Sequence, residues 1–200
     1  MSFKINTDFT KYMEVFLVQN AILNLISKNE EKFLWEKHIY DSLGIKLFLE
    51  KYSPKVNTLL DIGTGGGFPA VPIALEYPNI EVFALDSIRK KINAIENIKQ
   101  ALSIKNLTTI CDRAENIEQK FDIITSRAVA TIDILVKYAA PLLRKNGYFV
   151  AYKSRLADKE INDAKYLIKK LDLKLIDIIE YTLPLEEVYE RKLVVLQKII

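Results

Sequence analysis

Thr58-Leu59-Leu60-Asp61-Ile62-Gly63-Thr64-Gly65-Gly66-Gly67-Phe68-Pro69-Ala70 is the stretch that decides how this chain folds. An apolar run ends in an acid and meets a cluster of glycines at 63, 65, 66 and 67. Such a run reads as a buried strand that turns sharply into the next element. Glycine serves in that turn because the backbone takes up positive φ and must pass close to a bound molecule. The pattern predicts a helix from about Phe68, with its free N–H groups and positive dipole end facing the same spot.

Two ligand classes use such a turn. A dinucleotide-binding turn cradles a pyrophosphate and asks for G-x-G-x-x-G/A, but the sixth position here is Phe68. Asp61, at the strand end, would also repel a diphosphate at a few ångströms. S-adenosylmethionine (AdoMet) reverses that sign, since it carries an α-ammonium and a sulfonium and no phosphate. A nucleotide and a purely structural turn stay open as alternatives. A second acid, Asp86, closes the next apolar run, Ile80 to Asp86, 23 residues after Gly63. In a nucleoside-binding α/β unit an acid there accepts hydrogen bonds from the ribose hydroxyls. The competing role for Asp86 is a helix cap for Ile88 onward, which Ser87 could also supply.

The whole chain sets the bounds. Two hundred residues with 50% hydrophobic content make one domain that buries about 70% of its unfolded surface. Cys111 is the only cysteine, so no internal disulfide and no four-thiolate metal site is expected, and no metal is called for. The opening residues M-S-F-K-I-N-T-D-F-T lack an apolar stretch of signal-peptide length, and no run is long enough for a membrane span. The expectation is a soluble, cytoplasmic monomer. A formal charge of +3 permits nucleic-acid binding but hardly argues for it.

Along the chain, Phe9, Tyr12, Met13, Phe16, Leu17 and Leu23 fall at helical steps between Asn6 and Ser27, with Thr7 or Asp8 as a cap. A second helix is expected from about Glu31 to Tyr52. These form an N-terminal extension over residues 1–55, packed on a core of 56–200, as one structural domain. A first strand running from Thr58 to the acid Asp61, and strands at Ile80–Asp86, Leu107–Cys111, Phe121–Thr125 and Gly147–Lys153, alternate with helices at Phe68–Tyr77, Ile88–Leu102, Ile132–Leu143 and Ala157–Leu171. Two β segments, Lys174–Tyr181 and Lys192–Ile199, close the chain. The alternation implies an α/β fold with a mostly parallel sheet of seven strands, covered on both faces. The helixless last connection suggests that an antiparallel strand finishes the sheet.

In such a sheet the ligand sits outside the carboxyl ends of the strands, at the switch point. Asp61–Phe68, Asp86–Ser87, Asp112–Glu115, Ser126–Arg127 and Lys153 should therefore converge. Methyl transfer from a sulfonium is an in-line displacement governed by alignment. The N/D-P-P-Y/F motif of exocyclic-amine methylases is absent after strand four, where the chain reads S-R-A-V-A. Cytosine C5 methylation needs a nucleophilic cysteine, and Cys111 has no neighbouring proline and reads as a small packed residue. A ring nitrogen such as guanine N7 needs no base, only positioning. Arg127 is the candidate catalytic side chain, able to bind guanine, a phosphate or the AdoMet carboxylate. Its competing role is a salt bridge with Asp122 or Glu115. His38, the sole histidine, reads either as a packed helix residue or as part of the site. Lys153, Arg155, Arg191-Lys192 and Arg89-Lys90-Lys91 could form a basic rim.

These residues together resemble the ribosomal RNA small subunit methyltransferase G family, also called glucose-inhibited division protein B, along nearly the whole chain. The resemblance rests on L-N-L at Leu23–Leu25, K-H-I-Y-D-S-L at Lys37–Leu43 and D-I-G-T-G-G-G-F-P at Asp61–Pro69. It continues through L-D-S at Leu85–Ser87, R-A-E at Arg113–Glu115, S-R-A-V-A at Ser126–Ala130, Lys153, and E-R-K-L-V-V at Glu190–Val195. It implies a class I, Rossmann-like AdoMet-dependent methyltransferase acting on N7 of a guanosine in the 530 loop of bacterial 16S ribosomal RNA, free or in a small-subunit precursor. It implies AdoMet contacts from Asp61, Gly63, Gly65, Phe68, Asp86, Ser87, Ile88, Ala114, Glu115 and Arg127. His38, Asp41, Lys153 and Arg191 would lie toward the RNA. Rival readings are a methyltransferase for another RNA or a small molecule, and a non-catalytic RNA-binding assembly factor.

Overall fold

A computed structural model describes residues 3–200; Met1 and Ser2, which open the N-terminal stretch read above, lie outside them. The core is one seven-stranded sheet: β1 (Thr58–Ile62), β2 (Glu81–Leu85), β3 (Leu107–Ile110), β4 (Phe121–Arg127), β5 (Leu143–Lys153), β6 (Leu173–Thr182) and β7 (Glu190–Lys198). Their order is β3-β2-β1-β4-β5-β7-β6. β1 is buried along its whole length because it lies centrally, parallel to β2 on one side and β4 on the other. The order reverses between β1 and β4, and the crevice above their carboxyl ends is the switch point.

The last strand does not finish the sheet at its edge. β7 runs antiparallel between β5 and β6, so β6 takes the edge. β7 has four consecutive buried residues, Leu193–Leu196, and such a run needs neighbours on both sides.

Helices cover both faces. One face carries α1 (Thr10–Leu23), α4 (Ile45–Tyr52), α5 (Ala70–Glu76) and α6 (Arg89–Leu102), around a core that includes Phe9, Tyr12, Phe16, Phe48 and Phe68. The other carries α7 (Ile132–Leu142) and α8 (Ala157–Lys170), over Leu135, Val136, Phe149 and Leu196. Asp8 receives the Thr10 amide at 2.9 Å, one residue ahead of the helix boundary, as a cap satisfies a free first-turn donor. None of the helices among the described residues is long and apolar enough to cross a membrane.

The continuous helix expected over residues 31–52 is broken. α2 (Lys28–Glu31) is followed by a π-helical turn at Leu34–Tyr40, α3 (Asp41–Leu43) and then α4. An α-helix would direct the Asp41 amide to the Lys37 carbonyl; here it bonds to the His38 carbonyl instead. The Lys37 carbonyl accepts Arg127 Nη1 at 3.0 Å. The helix expected from Phe68 starts at Ala70, and Gly66–Pro69 continue the turn.

Candidate active site

The turn after β1 is held by the end of β2. The Gly63 and Thr64 amides donate to the Leu85 carbonyl at 2.8 and 2.9 Å, and the Gly65 amide donates to Asp86 Oδ2 at 3.0 Å. Gly63 and Gly65 have φ of +71° and +58°, a region open to glycine at little cost. A Cβ on Gly63 would stand 2.5 Å from Val129 Cγ2, whereas one on Gly65 would meet nothing nearer than the Gly63 carbonyl at 3.9 Å. Gly63 is therefore packed against the loop after β4, and Gly65 borders open space.

That space is a cavity of about 770 Å³ above the strand ends, bordered by the glycine turn, Asp86–Ser87, Asp112–Glu115 and Arg127–Val129. Asp86, 7% exposed, accepts the Ile88 amide on Oδ1 at 2.9 Å. It thus caps the loop before α6 while holding the glycine turn, and each oxygen keeps a lone pair. The residues present fit a nucleoside: a buried acceptor carboxylate for ribose hydroxyls and a close backbone approach at Gly65, with a lysine on this wall, Lys91, 3.8 Å from Asp86 Oδ2.

Asp61 is fully buried and sits beneath the turn, outside the cavity wall. Thr125 donates to its Oδ1 at 2.9 Å. Burial pushes its pKa up to about 7, against the opposing pull of the Thr64 and Thr125 hydroxyls and Arg127. Asp61 Oδ2 and Thr64 Oγ1 nonetheless lack a well-formed hydrogen bond.

Arg127 pairs with neither Asp122 nor Glu115. Its partner is Asp41, at 3.0 Å, and Asp122 is taken by Arg144 at 2.7 Å. Arg127 Nη2 also reaches His38 Nδ1 at 3.3 Å, and the guanidinium lies 5.3 Å from the Phe68 ring centroid. Asp41, 2% exposed, binds Arg191 through both oxygens at 2.9 Å and receives the Tyr181 hydroxyl at 2.6 Å. Burial alone would raise the Asp41 pKa, but Arg191, Arg127 and Tyr181 outweigh it and hold it below the usual carboxylate value. One carboxylate between two guanidiniums leaves a net positive charge on this wall, joining the N-terminal segment to β4 and β7.

The structure brings Gly63, Gly65, Phe68, Asp86, Ser87, Ala114, Glu115, Arg127, His38, Asp41 and Arg191 to the cavity. It does not bring Lys153 there: Lys153 Nζ donates to the Ala130 carbonyl at 2.6 Å and pairs with Glu160 at 2.7 Å, buttressing the S-R-A-V-A loop from behind. The Ile88 side chain faces outward, 42% exposed. Lys192 is engaged by Asp158 and Glu180 at 2.7 and 2.9 Å. Glu30 and Tyr189 line the cavity without having been singled out from the sequence. Both lie in polar segments with no periodic pattern, and only the folded contacts reveal them.

The rRNA small subunit methyltransferase G family profile matches residues 5–188. The chain is 36% identical over 197 residues to the ribosomal RNA small subunit methyltransferase G of Bacillus subtilis, covering 96% of this chain and 81% of that protein. The namesake from Staphylococcus saprophyticus is 34% identical over 203 residues, covering 99% and 84%. Among solved structures, TYW2 of M. jannaschii in complex with AdoMet superposes with a TM-score of 0.61 at 17% identity, over 80% of this chain and 77% of that one.

Proposed function

Since this chain belongs to the rRNA small subunit methyltransferase G family, and so is an AdoMet-dependent rRNA methyltransferase, we propose that it methylates N7 of a guanosine in the 530 loop of 16S ribosomal RNA. The carrying observation is the Gly65 amide bound to Asp86 at the edge of open space. We assign Gly63, Gly65, Phe68, Asp86, Ser87, Ala114 and Glu115 to cofactor binding; Ile88, whose amide is held by Asp86 and whose carbonyl takes the Lys91 and Ile92 amides, shapes that loop, and Asp61 lies buried beneath the turn.

Bound there, AdoMet supplies an electrophilic methyl on a sulfonium. A guanine N7 would take up the methyl through its own lone pair, so no proton would have to leave the base. The protein therefore needs no general base, and alignment supplies the rate. Arg127, clamped by Asp41 and the Lys37 carbonyl, fixes the wall against which base and cofactor meet, and its Nε has no hydrogen-bond partner among the described residues. Arg191, on the same carboxylate, extends that positive wall toward the RNA; Lys153 supports it through the Ala130 carbonyl. The reading places the enzyme in the cytoplasm as a monomer, working on free rRNA or a small-subunit precursor.

Comparison of small-subunit rRNA from cells with and without this protein tests the assignment. Loss of one 7-methylguanosine in the 530 loop is expected. An unmodified or unchanged guanosine there would reject the substrate.

A further inference from the structure

His38 is the only histidine in the chain, and its two ring nitrogens have different surroundings. Nδ1 lies 3.3 Å from Arg127 Nη2. A guanidinium has only donors to offer, so Nδ1 must present its lone pair. The ring is neutral, because burial and then the Arg127 charge lower its pKa to about 4, against the opposing pull of Glu30 and Asp41. The single imidazole proton therefore sits on Nε2. That N–H is buried and has no hydrogen-bond partner among the described residues.

Glu30 Oε1 stands 4.0 Å from Nε2, beyond hydrogen-bond reach, and both side chains line the cavity. Glu30 Oε2 accepts the Ser27 hydroxyl at 3.3 Å and keeps a further lone pair, and the segment around it is fixed in turn. Asn20, on α1, accepts the Ile26 amide at 2.8 Å and donates to Glu31 at 2.7 Å. A fixed donor thus stands beside a carboxylate, which only accepts.

Guanine is the base whose edge matches this pair. Its Watson–Crick edge presents the O6 acceptor, then the N1–H donor, then an exocyclic amine donor. Adenine presents a donor followed by an acceptor, the wrong order. Uracil shares the first two groups but lacks the second donor, which the other glutamate oxygen would take. Enzymes that act on an extruded base read this same edge.

We propose that His38 Nε2–H and the Glu30 carboxylate together read the Watson–Crick edge of the target guanine, the histidine donating to O6 and the glutamate accepting from N1–H and the amine. This role rests on the proposed guanosine substrate and deepens it. Reading that edge leaves N7, on the adjoining Hoogsteen edge, open to the methyl donor. A neutral donor also adds no charge beside a base that becomes cationic on methylation. Arg127 acts here as a positioning residue, by fixing the tautomer.

Two measurements test the pair. In protein labelled with nitrogen-15 histidine, one imidazole reports without ambiguity, and the Nε2–H tautomer is expected at neutral pH; a proton on Nδ1 would overturn the proposal. The second is methyl transfer to small subunits reconstituted with guanosine or inosine at the target. Wild type should lose roughly 10-fold in kcat/KM on inosine, which lacks the amine. Glu30→Ala should lose roughly 10- to 100-fold on guanosine and no longer distinguish the two bases. His38→Gln, whose amide can donate near Nε2, should transfer faster than His38→Phe, with AdoMet affinity by calorimetry unchanged in every variant. If the Glu30→Ala and inosine losses multiply, or His38→Phe works at the wild-type rate, the pair is wrong while the guanosine substrate stands. If wild type methylates no guanosine in small-subunit RNA, the substrate reading fails, and the pair with it.

Discussion

The Gly65 amide donates to Asp86 Oδ2 at 3.0 Å, so the turn after β1 and the acid after β2 act as one unit. Removing the carboxylate frees the turn and, on the proposed cofactor assignment, deletes the acceptor for a ribose hydroxyl. Asp86→Ala should weaken AdoMet binding by roughly 1–3 kcal/mol, or about 5- to 150-fold. Titration calorimetry checks this; wild-type affinity in the variant would remove Asp86 from the site.

Gly63 and Gly65 separate folding from binding. Both sit at positive φ, where an alanine is strained by about 1 kcal/mol. A Cβ on Gly63 also collides with Val129 at 2.5 Å, so Gly63→Ala should lower stability more than Gly65→Ala. Gly65→Ala should fold nearly as well and bind AdoMet more weakly, because its methyl enters the cavity. Denaturant midpoints and calorimetry on the same two variants test the contrast; the reverse ranking would show that the cavity does not border Gly65.

Asp41 is the shared counter-charge of two guanidiniums inside the protein. Asp41→Ala leaves both without a counter-charge and should cost roughly 3–5 kcal/mol of stability. Arg127→Ala should cost less, because Asp41 keeps its two-point contact with Arg191, yet it should depress methyl transfer. Urea unfolding measures the first pair of values. Equal losses, or a stability loss in Arg127→Ala with normal turnover, would make Arg127 a purely structural residue.

Asp61 has its pKa raised to about 7 by burial, with the Thr64 and Thr125 hydroxyls and Arg127 opposing. Between pH ~4 and ~7 the folded protein holds a proton that the unfolded chain has released, so this residue makes stability fall as pH rises, by up to about 4 kcal/mol. His38 acts in the opposite sense. Its folded pKa of about 4 lies below the ordinary value, so acidification from pH ~6.5 to ~4 costs stability. Asp61→Asn isolates the first effect: its stability relative to wild type should increase from pH 5 to 7.5. Parallel stability curves would contradict the buried-acid reading.

Local pattern was enough to place the glycine turn beside Asp86. An apolar run, a glycine cluster and a second acid after the next run are neighbours in sequence as well as in space, so Gly63–Phe68 and Asp86 were legible. The ion pairs of Asp41 were not, because its partners are 86 and 150 residues away, and the sequence offers Arg127 only nearer acids for the same reason. The π-helical turn at Leu34–Tyr40 escaped the helical periodicity around it, because its Lys37 carbonyl bonds to Arg127, 90 residues away, a contact that local periodicity does not carry. The insertion of β7 between β5 and β6 likewise depends on long-range pairing, which alternation of apolar residues does not specify.

The most direct measurement incubates the purified protein with isotopically labelled AdoMet and small subunits from cells lacking it, then locates the label by nucleoside mass spectrometry. The predicted result is label in 7-methylguanosine from one 530-loop position. Label on another base, or no transfer by a protein that binds AdoMet normally, would contradict it.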